Sequence, residues 1–273
     1  MEFLFTKEFL RGIKDMNFQS KKILLTGATG GLGKEMVKSF TELGAQLILS
    51  DIKEDSLQSM QNSYKNSVIG VIRADLSSEE GCNELIENLE KLYPTPDILI
   101  NNAGIAVFGR YCDTPLDKIE KVISINLLSP MRITHPILKK MVSRKSGYIV
   151  NICSVAGLIA AAGLSSYCTS KFAIKAFGEA IYHDYREFGI KVSNLYPFFT
   201  DTPILQSEQF GFKNKKMIPD YLLSKPSDVI NDLIKGMEKE TLHIYPGVVP
   251  YTIDMLTRFM PGFVEILSER QLS

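Results

Sequence analysis

A glycine-rich segment, TGATGGLG at residues 26–33, is the feature that most restricts how this chain can fold. It follows the apolar run KKILL and leads into a helical pattern at residues 31–44. Gly27, Gly31 and Gly33 let the backbone turn tightly and approach a pyrophosphate group, to which the start of the helix offers free N–H groups. A plain turn between a strand and a helix does not need so many glycines. The segment therefore predicts a nucleotide-binding loop on an α/β framework.

Apolar runs alternate with helical patterns along the rest of the chain, as in a parallel sheet that is covered by helices. Strands are predicted at residues 21–27, 45–51, 68–76, 97–104, 147–157, 191–197 and 242–247. Helices are predicted at residues 31–44, 78–92, 166–189 and 226–240, between the second and third strands, and from Pro115 onwards. No linker or internal repeat divides the chain, so we predict one α/β domain at residues 21–247. Residues 1–20 are an apolar N-terminal extension in this interpretation, and residues 248–273 are an amphipathic C-terminal tail.

The composition argues against several classes of protein. The 273 residues carry no formal net charge, whereas binding to nucleic acid needs an excess of Lys and Arg. No apolar run approaches the roughly 20 residues that span a bilayer, and the N-terminus is a poor signal peptide, so a cytoplasmic location is expected. The cysteines at 82, 112, 153 and 168 lack the spacing of a metal site. Free, mostly buried thiols and no metal are expected.

Two acidic residues stand at predicted strand ends. Asp51 closes the second strand, where its carboxylate can accept hydrogen bonds from ribose hydroxyls and repel a 2′-phosphate. This position favours NAD over NADP, although Lys34 and Lys53 leave NADP as an alternative. Asp75 ends the third strand, where a contact with adenine and a place in the cap region of the next helix both fit the sequence.

A tyrosine and a lysine stand at a spacing that puts both side chains on one face of a helix. Tyr167 lies thirteen residues after Ser154 and four residues before Lys171. A second Tyr-x-x-x-Lys pair occupies residues 221–225, but Glu208 stands where the first pair has its serine. The serine therefore selects the first pair as the candidate for proton transfer.

The chain resembles the short-chain dehydrogenase/reductase family, and the motifs that carry the resemblance occur in order from about residue 21 to residue 247. They are TGATGGLG (26–33), Asp75-Leu76, NNAG (101–104), Asn126, Ser154, Tyr167-x-x-x-Lys171 and PFFTDTP (197–203). Each motif is weak evidence alone, and together they are hard to reach by chance. The resemblance implies a single Rossmann-type, doubly wound parallel sheet of about seven strands with helices on both faces, and a nicotinamide cofactor.

The resemblance also implies roles for individual residues. The implied catalytic residues are Asn126, Ser154, Tyr167 and Lys171. Tyr167 is expected to exchange a proton with the substrate oxygen, and Ser154 to hydrogen-bond that oxygen. Lys171 is expected to hold the nicotinamide ribose, and Asn126 to interrupt its helix and hold a water molecule. The implied cofactor contacts are Gly27, Thr29, Gly31, Leu32, Gly33, Asp51, Asp75, Leu76, Asn102, Ala103, Gly104, Tyr167, Lys171, Pro197 and Thr202.

Proton transfer near neutral pH requires that the pKa of the tyrosine is lowered. A tyrosine normally titrates at a pKa of ~10. The nearby Lys171 ammonium and an oxidised nicotinamide ring both favour the phenolate of Tyr167. We therefore expect its pKa to fall towards about 7, a shift that corresponds to about 4 kcal/mol.

These observations predict an oxidoreductase that uses NAD, with NADP as the alternative, to interconvert an alcohol and a ketone or aldehyde. Residues 198–225 are expected to form a substrate lid, whose apolar side chains favour a small apolar substrate. Phe198 stands where the family usually has glycine after Pro197, so it either narrows the pocket beside the nicotinamide or turns into the core. The alternative function is a non-catalytic nucleotide-binding sensor or scaffold on the same fold.

The resemblance implies a homodimer or homotetramer that packs through the helices at 115–145 and 166–189. Both ends of the chain are more apolar than solvated tails. They are expected either to pack on the domain or on a neighbouring subunit, or to make peripheral contact with a membrane surface.

Overall fold

The computed structural model describes residues 16–93, 95–211 and 223–262. Its strands are β1 (Lys22–Thr26), β2 (Gln46–Asp51), β3 (Val68–Arg73), β4 (Ile98–Asn101), β5 (Phe108–Gly109), β6 (Gly147–Ile152), β7 (Ile190–Leu195), β8 (Gln209–Phe210) and β9 (His243–Ile244). Its helices are α1 (Gly31–Glu42), α2 (Glu54–Ser63), α3 (Glu79–Leu92), α4 (Leu116–Ile123), α5 (Ser129–Ser143), α6 (Ser165–Tyr185), α7 (Pro226–Glu238) and α8 (Val248–Phe259). Seven strands form one parallel sheet in the order β3-β2-β1-β4-β6-β7-β9. This arrangement confirms the predicted α/β fold.

Helices cover both faces of the sheet, which confirms the doubly wound arrangement. One face packs against α1, α2 and α7 through a core that includes Met36, Leu57 and Leu233. The other face packs against α3, α5 and α6, with Leu85 and Ile137 in its core. The central strands are apolar along most of their length because both of their faces are buried. The strand order reverses beside β1, and this switch point leaves a crevice at the carboxyl ends of the strands, where the glycine-rich loop begins.

The strands predicted at 68–76, 97–104, 147–157 and 242–247 extend three or more residues beyond the observed strand ends, and two of these errors lie at the site. The strand predicted at 97–104 ends at Asn101, because the following residues bond to the end of β1 instead of pairing with a neighbouring strand. The strand predicted at 147–157 ends at Ile152, and a short 3-10 turn follows it. In both places the apolar run continues beyond the point where the backbone leaves the sheet to build the site.

The predicted lid at 198–225 is only partly described, because residues 212–222 lie outside the described residues. The described part contains a 3-10 turn at Pro203–Gln206 and strand β8, which pairs with β5 in a separate two-stranded sheet. Lys118 Nζ lies 2.8 Å from Glu208 Oε2 and joins this strand to α4. Two-residue strands carry too little periodicity to be recognised in the sequence.

The structure describes only parts of the predicted N-terminal extension and C-terminal tail. Residues 1–15 and 263–273 lie outside the described residues. Phe18, within the predicted extension, is buried and its ring centroid lies 5.3 Å from that of Phe40. The predicted tail begins as the helix α8, whose residues Val248 and Phe259 are 76% and 78% exposed. The first segment therefore ends packed on the domain, whereas α8 presents apolar side chains to its surroundings.

The four cysteines are free, and three of them, Cys82, Cys153 and Cys168, are buried, which agrees with the sequence. Within residues 16–93, 95–211 and 223–262, no helix has the length and apolarity needed to cross a membrane.

Candidate active site

The glycine-rich loop is held in place by the NNAG segment that follows β4. Thr26 Oγ1 accepts hydrogen bonds from the backbone N–H groups of Asn102 and Ala103, both at 3.1 Å. The Asn102 side chain donates in return to the carbonyl oxygens of Thr26 and Gly27, both at 2.9 Å. The two motifs, more than 70 residues apart in the sequence, therefore form one rigid wall of the crevice.

The glycines of the loop are required by close approaches of backbone atoms. Gly27 has a φ of +63°, and a Cβ atom there would lie 2.7 Å from the Ala103 Cα. A Cβ atom on Gly33 would overlap the carbonyl oxygen of Gly27, and one on Gly31 would lie 2.7 Å from the Thr202 Cβ. The loop therefore has no room for a side chain at Gly27, Gly31 or Gly33.

The start of α1 is suited to bind an anion. No side chain caps its N-terminus, so its first N–H groups are available together with the positive end of the helix dipole. Asp51 Oδ2 accepts a hydrogen bond from the Thr29 N–H at 3.0 Å, which fixes the carboxylate beside the loop at the end of β2. A pyrophosphate group at the helix start and a ribose at the carboxylate fit this donor and acceptor set.

Asp75 lies just before α3 and organises the turn that leads into it. Its Oδ1 accepts a hydrogen bond from the Ser77 N–H at 2.9 Å, and hydrogen bonds from Ser77 lower the pKa of the carboxyl. Ser78 is the N-cap of α3 and accepts from the Gly81 N–H at 3.0 Å. Asp75 therefore belongs to the capping region, and its contact with adenine stays a prediction, as does the cofactor contact of the buried Leu76.

Ser154, Tyr167 and Lys171 meet where β6 ends against α6. Lys171 is buried, and its Nζ donates to the Ile152 carbonyl at 2.7 Å and lies 5.5 Å from the centre of the Tyr167 ring. Ser154 Oγ accepts a hydrogen bond from the Ala156 N–H at 3.1 Å. The structure thus brings the predicted serine, tyrosine and lysine together.

The protonation of this group differs from the expectation. Burial raises the pKa of Tyr167 to about 12, and a hydrogen bond with the Ser154 side chain lowers it only in part. Burial also lowers the pKa of Lys171 to about 8, so the lysine stays mostly protonated at pH 7 and loses its charge above pH 8. In the chain alone the pKa of Tyr167 is thus raised, because the loss of water around the phenol outweighs its polar neighbours, and the fall expected with oxidised nicotinamide bound stays a prediction.

Asn126 lies at an interruption of the long helical segment, as expected. The helix widens into a π turn at Ser124–Leu128 between α4 and α5. The Asn126 side chain accepts from the Ile105 N–H and donates to the Ile105 carbonyl, both at 2.9 Å, and donates to Ser170 Oγ at 3.1 Å. A Cβ atom on Gly104 would lie 3.3 Å from Asn126 Oδ1 and 3.7 Å from Lys171 Nζ, so these three residues adjoin.

The segment after β7 closes the site opposite the NNAG segment. The Pro197 carbonyl accepts from the Val155 N–H at 3.0 Å, and Thr202 Oγ1 donates to the Thr200 carbonyl at 3.2 Å. The Phe198 ring is partly buried with its centroid 4.5 Å from that of Phe199. Phe198 is therefore neither fully in the core nor fully exposed, and its effect on the pocket stays a prediction.

Several residues of the site were not predicted from the sequence. Thr26 and Ser170 bond to predicted site residues, and the Ile152 carbonyl holds Lys171. Thr26 stands in the glycine motif at a strand end, which is a signal that the sequence contains. A backbone carbonyl such as that of Ile152 leaves no signal in the sequence. Of the rejected second pair, Lys225 precedes α7 with an extended backbone, and Tyr221 lies outside the described residues.

Comparison with known proteins agrees with this geometry. The family model described as short chain dehydrogenase matches residues 21–210. The chain belongs to this family. It is 31% identical over 219 residues to an NAD-dependent glycerol dehydrogenase of Listeria innocua, a match that covers 79% of this chain and 86% of the relative. It is 30% identical to epidermal retinol dehydrogenase 2 of Mus musculus, with 90% and 80% covered.

A solved structure has the same fold as this chain. The short-chain dehydrogenase from Sphingobium yanoikuyae, determined in complex with NADPH, superimposes with a TM-score of 0.77 at 24% identity. The match covers 90% of this chain and 95% of that chain.

Proposed function

We propose that this protein is an oxidoreductase that interconverts an alcohol and a ketone or aldehyde, with NAD as its cofactor and Tyr167 as general acid and base. The observation that carries the proposal is the meeting of Ser154, Tyr167 and Lys171 beside a glycine-rich loop. The relatives named glycerol dehydrogenase and retinol dehydrogenase support an alcohol as the substrate class. No observation favours the non-catalytic alternative.

The side chains of the site divide the work of proton transfer. A bound nicotinamide ring supplies the acceptor or the donor of the hydride. The Tyr167 oxygen takes the hydroxyl proton of the alcohol during oxidation and returns a proton to the carbonyl oxygen during reduction. Ser154 Oγ accepts from the Ala156 N–H, so its one proton can be donated to Tyr167 in the chain alone or to a bound substrate oxygen.

Oxidation of an alcohol needs the phenolate of Tyr167, and its pKa of about 12 in the chain alone is too high for that role. A positive charge close to the phenol lowers this pKa. Lys171 supplies such a charge when it is protonated, and an oxidised nicotinamide adds a second. Loading of the site therefore favours ionisation of Tyr167, and the protein alone keeps the phenol neutral.

The choice of NAD is supported by the surroundings of Asp51. Its carboxylate is fixed by the Thr29 and Lys53 N–H groups at 3.0 and 3.2 Å, in the position where a 2′-phosphate would meet a negative charge. Residues 28–30 contain no Lys or Arg to neutralise such a phosphate. The NADPH complex of a structural relative keeps NADP as the alternative.

The proposal is tested with the full chain and a panel of alcohols and carbonyl compounds, followed by NADH absorbance with either cofactor. The panel contains a polyol (glycerol), all-trans-retinol, a hydroxysteroid and 1-octanol, with the matching carbonyl compounds. We expect turnover of an apolar member in preference to glycerol. Binding of NADH, measured by fluorescence, without turnover of any member would favour the non-catalytic alternative.

A membrane contact at the C-terminal end is a separate part of the proposal. The exposed side of α8 presents Val248, Tyr251 and Phe259, and Met260 follows it. Its one acidic and one basic residue, Asp254 and Arg258, are paired at 2.9 Å and add no net charge. Flotation of the full chain with liposomes, against a chain ending at residue 247, tests the contact. If neither protein floats, the membrane contact is excluded and contact with a neighbouring subunit remains. The exposed Leu128, Met131 and Phe172 of the long helical segments also support a subunit contact.

A further inference from the structure

Three asparagines on neighbouring strands form a buried row beneath the candidate site. Asn101 is the last residue of β4, and Asn151 and Asn194 are the last but one of β6 and β7. They are in register, Asn101 with Asn151 and Asn151 with Asn194, and their exposed fractions are 4%, 0% and 0%. Since residues paired in this way point to the same face of a sheet, the three amides lie side by side in the interior.

Each amide of this asparagine row donates a hydrogen bond to the next. Asn101 Nδ2 donates to Asn151 Oδ1 at 3.0 Å, and Asn151 Nδ2 to Asn194 Oδ1 at 3.0 Å. At one end Asn194 Nδ2 donates to the Lys175 carbonyl at 3.1 Å, and at the other Asn101 Nδ2 also donates to Thr134 Oγ1 at 3.2 Å. A carbonyl can only accept, so it fixes the orientation of the Asn194 amide and, through it, of the other two.

Both ends of the asparagine row are attached to helical segments that carry catalytic residues. Lys175 lies on α6, four residues after Lys171 and eight after Tyr167, so the three share one face of the helix. Thr134 lies on α5, which continues directly from the π turn that contains Asn126. The row therefore connects, through the sheet, the helical segment of Asn126 with that of Tyr167 and Lys171.

The strands also lead from the row directly into the site. Asn101 is followed at once by the segment that bonds to Thr26, and Asn151 precedes Ser154 by three residues. Asn194 precedes Pro197 by three residues. The row thus fixes each of the three strands within three residues of the backbone that would contact cofactor or substrate in the proposed reaction.

Helix α6 approaches the row as closely as a glycine allows. A Cβ atom on Gly178 would overlap Asn194 Oδ1 and would lie 2.7 Å from Asn151 Nδ2. The separation of α6 from β6 and β7 is therefore set by contact with amide groups. Hydrogen bonds are directional and a buried amide that loses a partner is penalised, so the arrangement of helix and strands that makes these bonds is favoured. Asn101 Oδ1 is buried at the end of the row without a hydrogen-bond partner among the described residues.

We propose that Asn101, Asn151 and Asn194 are positioning residues, which hold α6 against the ends of β6 and β7 and so fix Tyr167 and Lys171 relative to Ser154. The inference rests on the proposed function of that site. Leucine has the same branched outline as asparagine and forms no directional bonds, so it fills the site and releases the helix to shift. A displacement of a fraction of an ångström at the proton-transferring oxygen is enough to slow the reaction.

The test compares Asn151→Leu, at the centre of the row, with Tyr148→Phe as the matched control. Tyr148 lies on the same strand with its side chain on the opposite face, where its hydroxyl bonds to Ser193 Oγ at 2.8 Å. For Asn151→Leu we expect kcat to fall about 10- to 100-fold and the midpoint of its pH profile to shift, with NADH affinity within about threefold of wild type. For Tyr148→Phe, at a comparable loss of Tm, we expect an unchanged kcat and midpoint.

Three results would overturn the proposal. The first is an unchanged kcat and midpoint in folded Asn151→Leu, and the second is an equal loss of kcat in both variants with neither midpoint shifted. If Asn151→Leu does not fold, Thr134→Val removes only the end of the row, and we expect a smaller shift of the pH midpoint in the same direction. An unshifted midpoint in Thr134→Val is the third result.

If wild type turns over no substrate, the proposed function has failed on its own. The row is then tested by the absorbance titration of Tyr167 with NAD bound, with Tyr167→Phe as the blank, where an unchanged midpoint in Asn151→Leu contradicts it.

Discussion

The two halves of the sheet build their parts of the site with different chemistry. The half formed by β1, β2 and β3 uses backbone groups, glycines and the cap-free start of α1, and its side-chain contacts at the loop are made by Thr26 and Asp51. The half formed by β4, β6 and β7 uses buried side chains that bond to one another and to α5 and α6. Under the proposed function, the main chain of the first half would bind the cofactor phosphates, and the side chains of the second half would align the reacting groups.

The largest effect is expected from a change in the half formed by β1, β2 and β3, which uses backbone groups (the backbone half). Gly33→Ala places a Cβ atom on the Gly27 carbonyl oxygen, and overlap with backbone cannot be relieved by a rotamer change. We expect the NADH dissociation constant, measured by fluorescence, to rise at least about 100-fold, or the loop to lose its structure. In the same loop Gly30→Ala is the control, since its nearest neighbour lies 3.3 Å from the added atom. Equal NADH affinity of the two variants would contradict this view of the loop.

The next effect separates function from stability in the side-chain half. Lys171→Met should lower kcat and weaken NADH binding, because one ammonium serves both. It should also raise the free energy of unfolding at pH 7 by about 1–3 kcal/mol, since the burial that lowers the pKa of Lys171 from 10.5 to about 8 is a cost of the charged form. The lost bond to the Ile152 carbonyl offsets part of the gain.

The pH dependence gives the sign of this effect. Between pH 8 and pH 10.5 the unfolded chain binds a proton at Lys171 that the folded chain has released, so stability of the wild type rises with pH in this window. Lys171→Met lacks this rise, and the stability difference between the two proteins should shrink as pH increases. Denaturant unfolding of both proteins at pH 7 and pH 9.5 measures this difference in the free energy of unfolding. A difference that stays constant would contradict a destabilising charge on the buried Lys171.

The smallest expected effect concerns Asp51, the carboxylate that we propose to contact the cofactor. Asp51→Asn keeps one acceptor oxygen, enough for either the Thr29 or the Lys53 N–H group, and removes the charge, whereas Asp51→Ala removes both oxygens and the charge. We expect the ratio of kcat/KM for NAD to that for NADP to fall about tenfold in both variants, with weaker NAD binding in the alanine variant only. A wild type that prefers NADP would reverse the assignment.

The sequence predicted the backbone half better than the side-chain half, and the reason is physical. Glycines at the loop and an aspartate at a strand end act through their own positions, so Gly33 and Asp51 are readable without partners. The candidate catalytic residues could be named because the spacing of Ser154, Tyr167 and Lys171 is itself a signal, and Asn126 followed from the family resemblance. The raised pKa of Tyr167 in the chain alone was not foreseen, because burial depends on residues that are distant in the sequence. The asparagine row was missed for the same reason, since a buried asparagine in an apolar strand gains meaning only from its neighbours in the sheet.

The most direct test of the account is the turnover of Tyr167→Phe with the best substrate of the panel. The change removes one oxygen and keeps the ring, so Tm and NADH affinity should stay close to those of wild type. We expect kcat to fall at least ~10²–10⁴-fold, the loss typical of general acid–base catalysis, and further if Ser154 and Lys171 act with it as a unit. A folded Tyr167→Phe that retains more than about a tenth of the wild-type kcat would contradict the assignment of Tyr167 as the group that carries the proton.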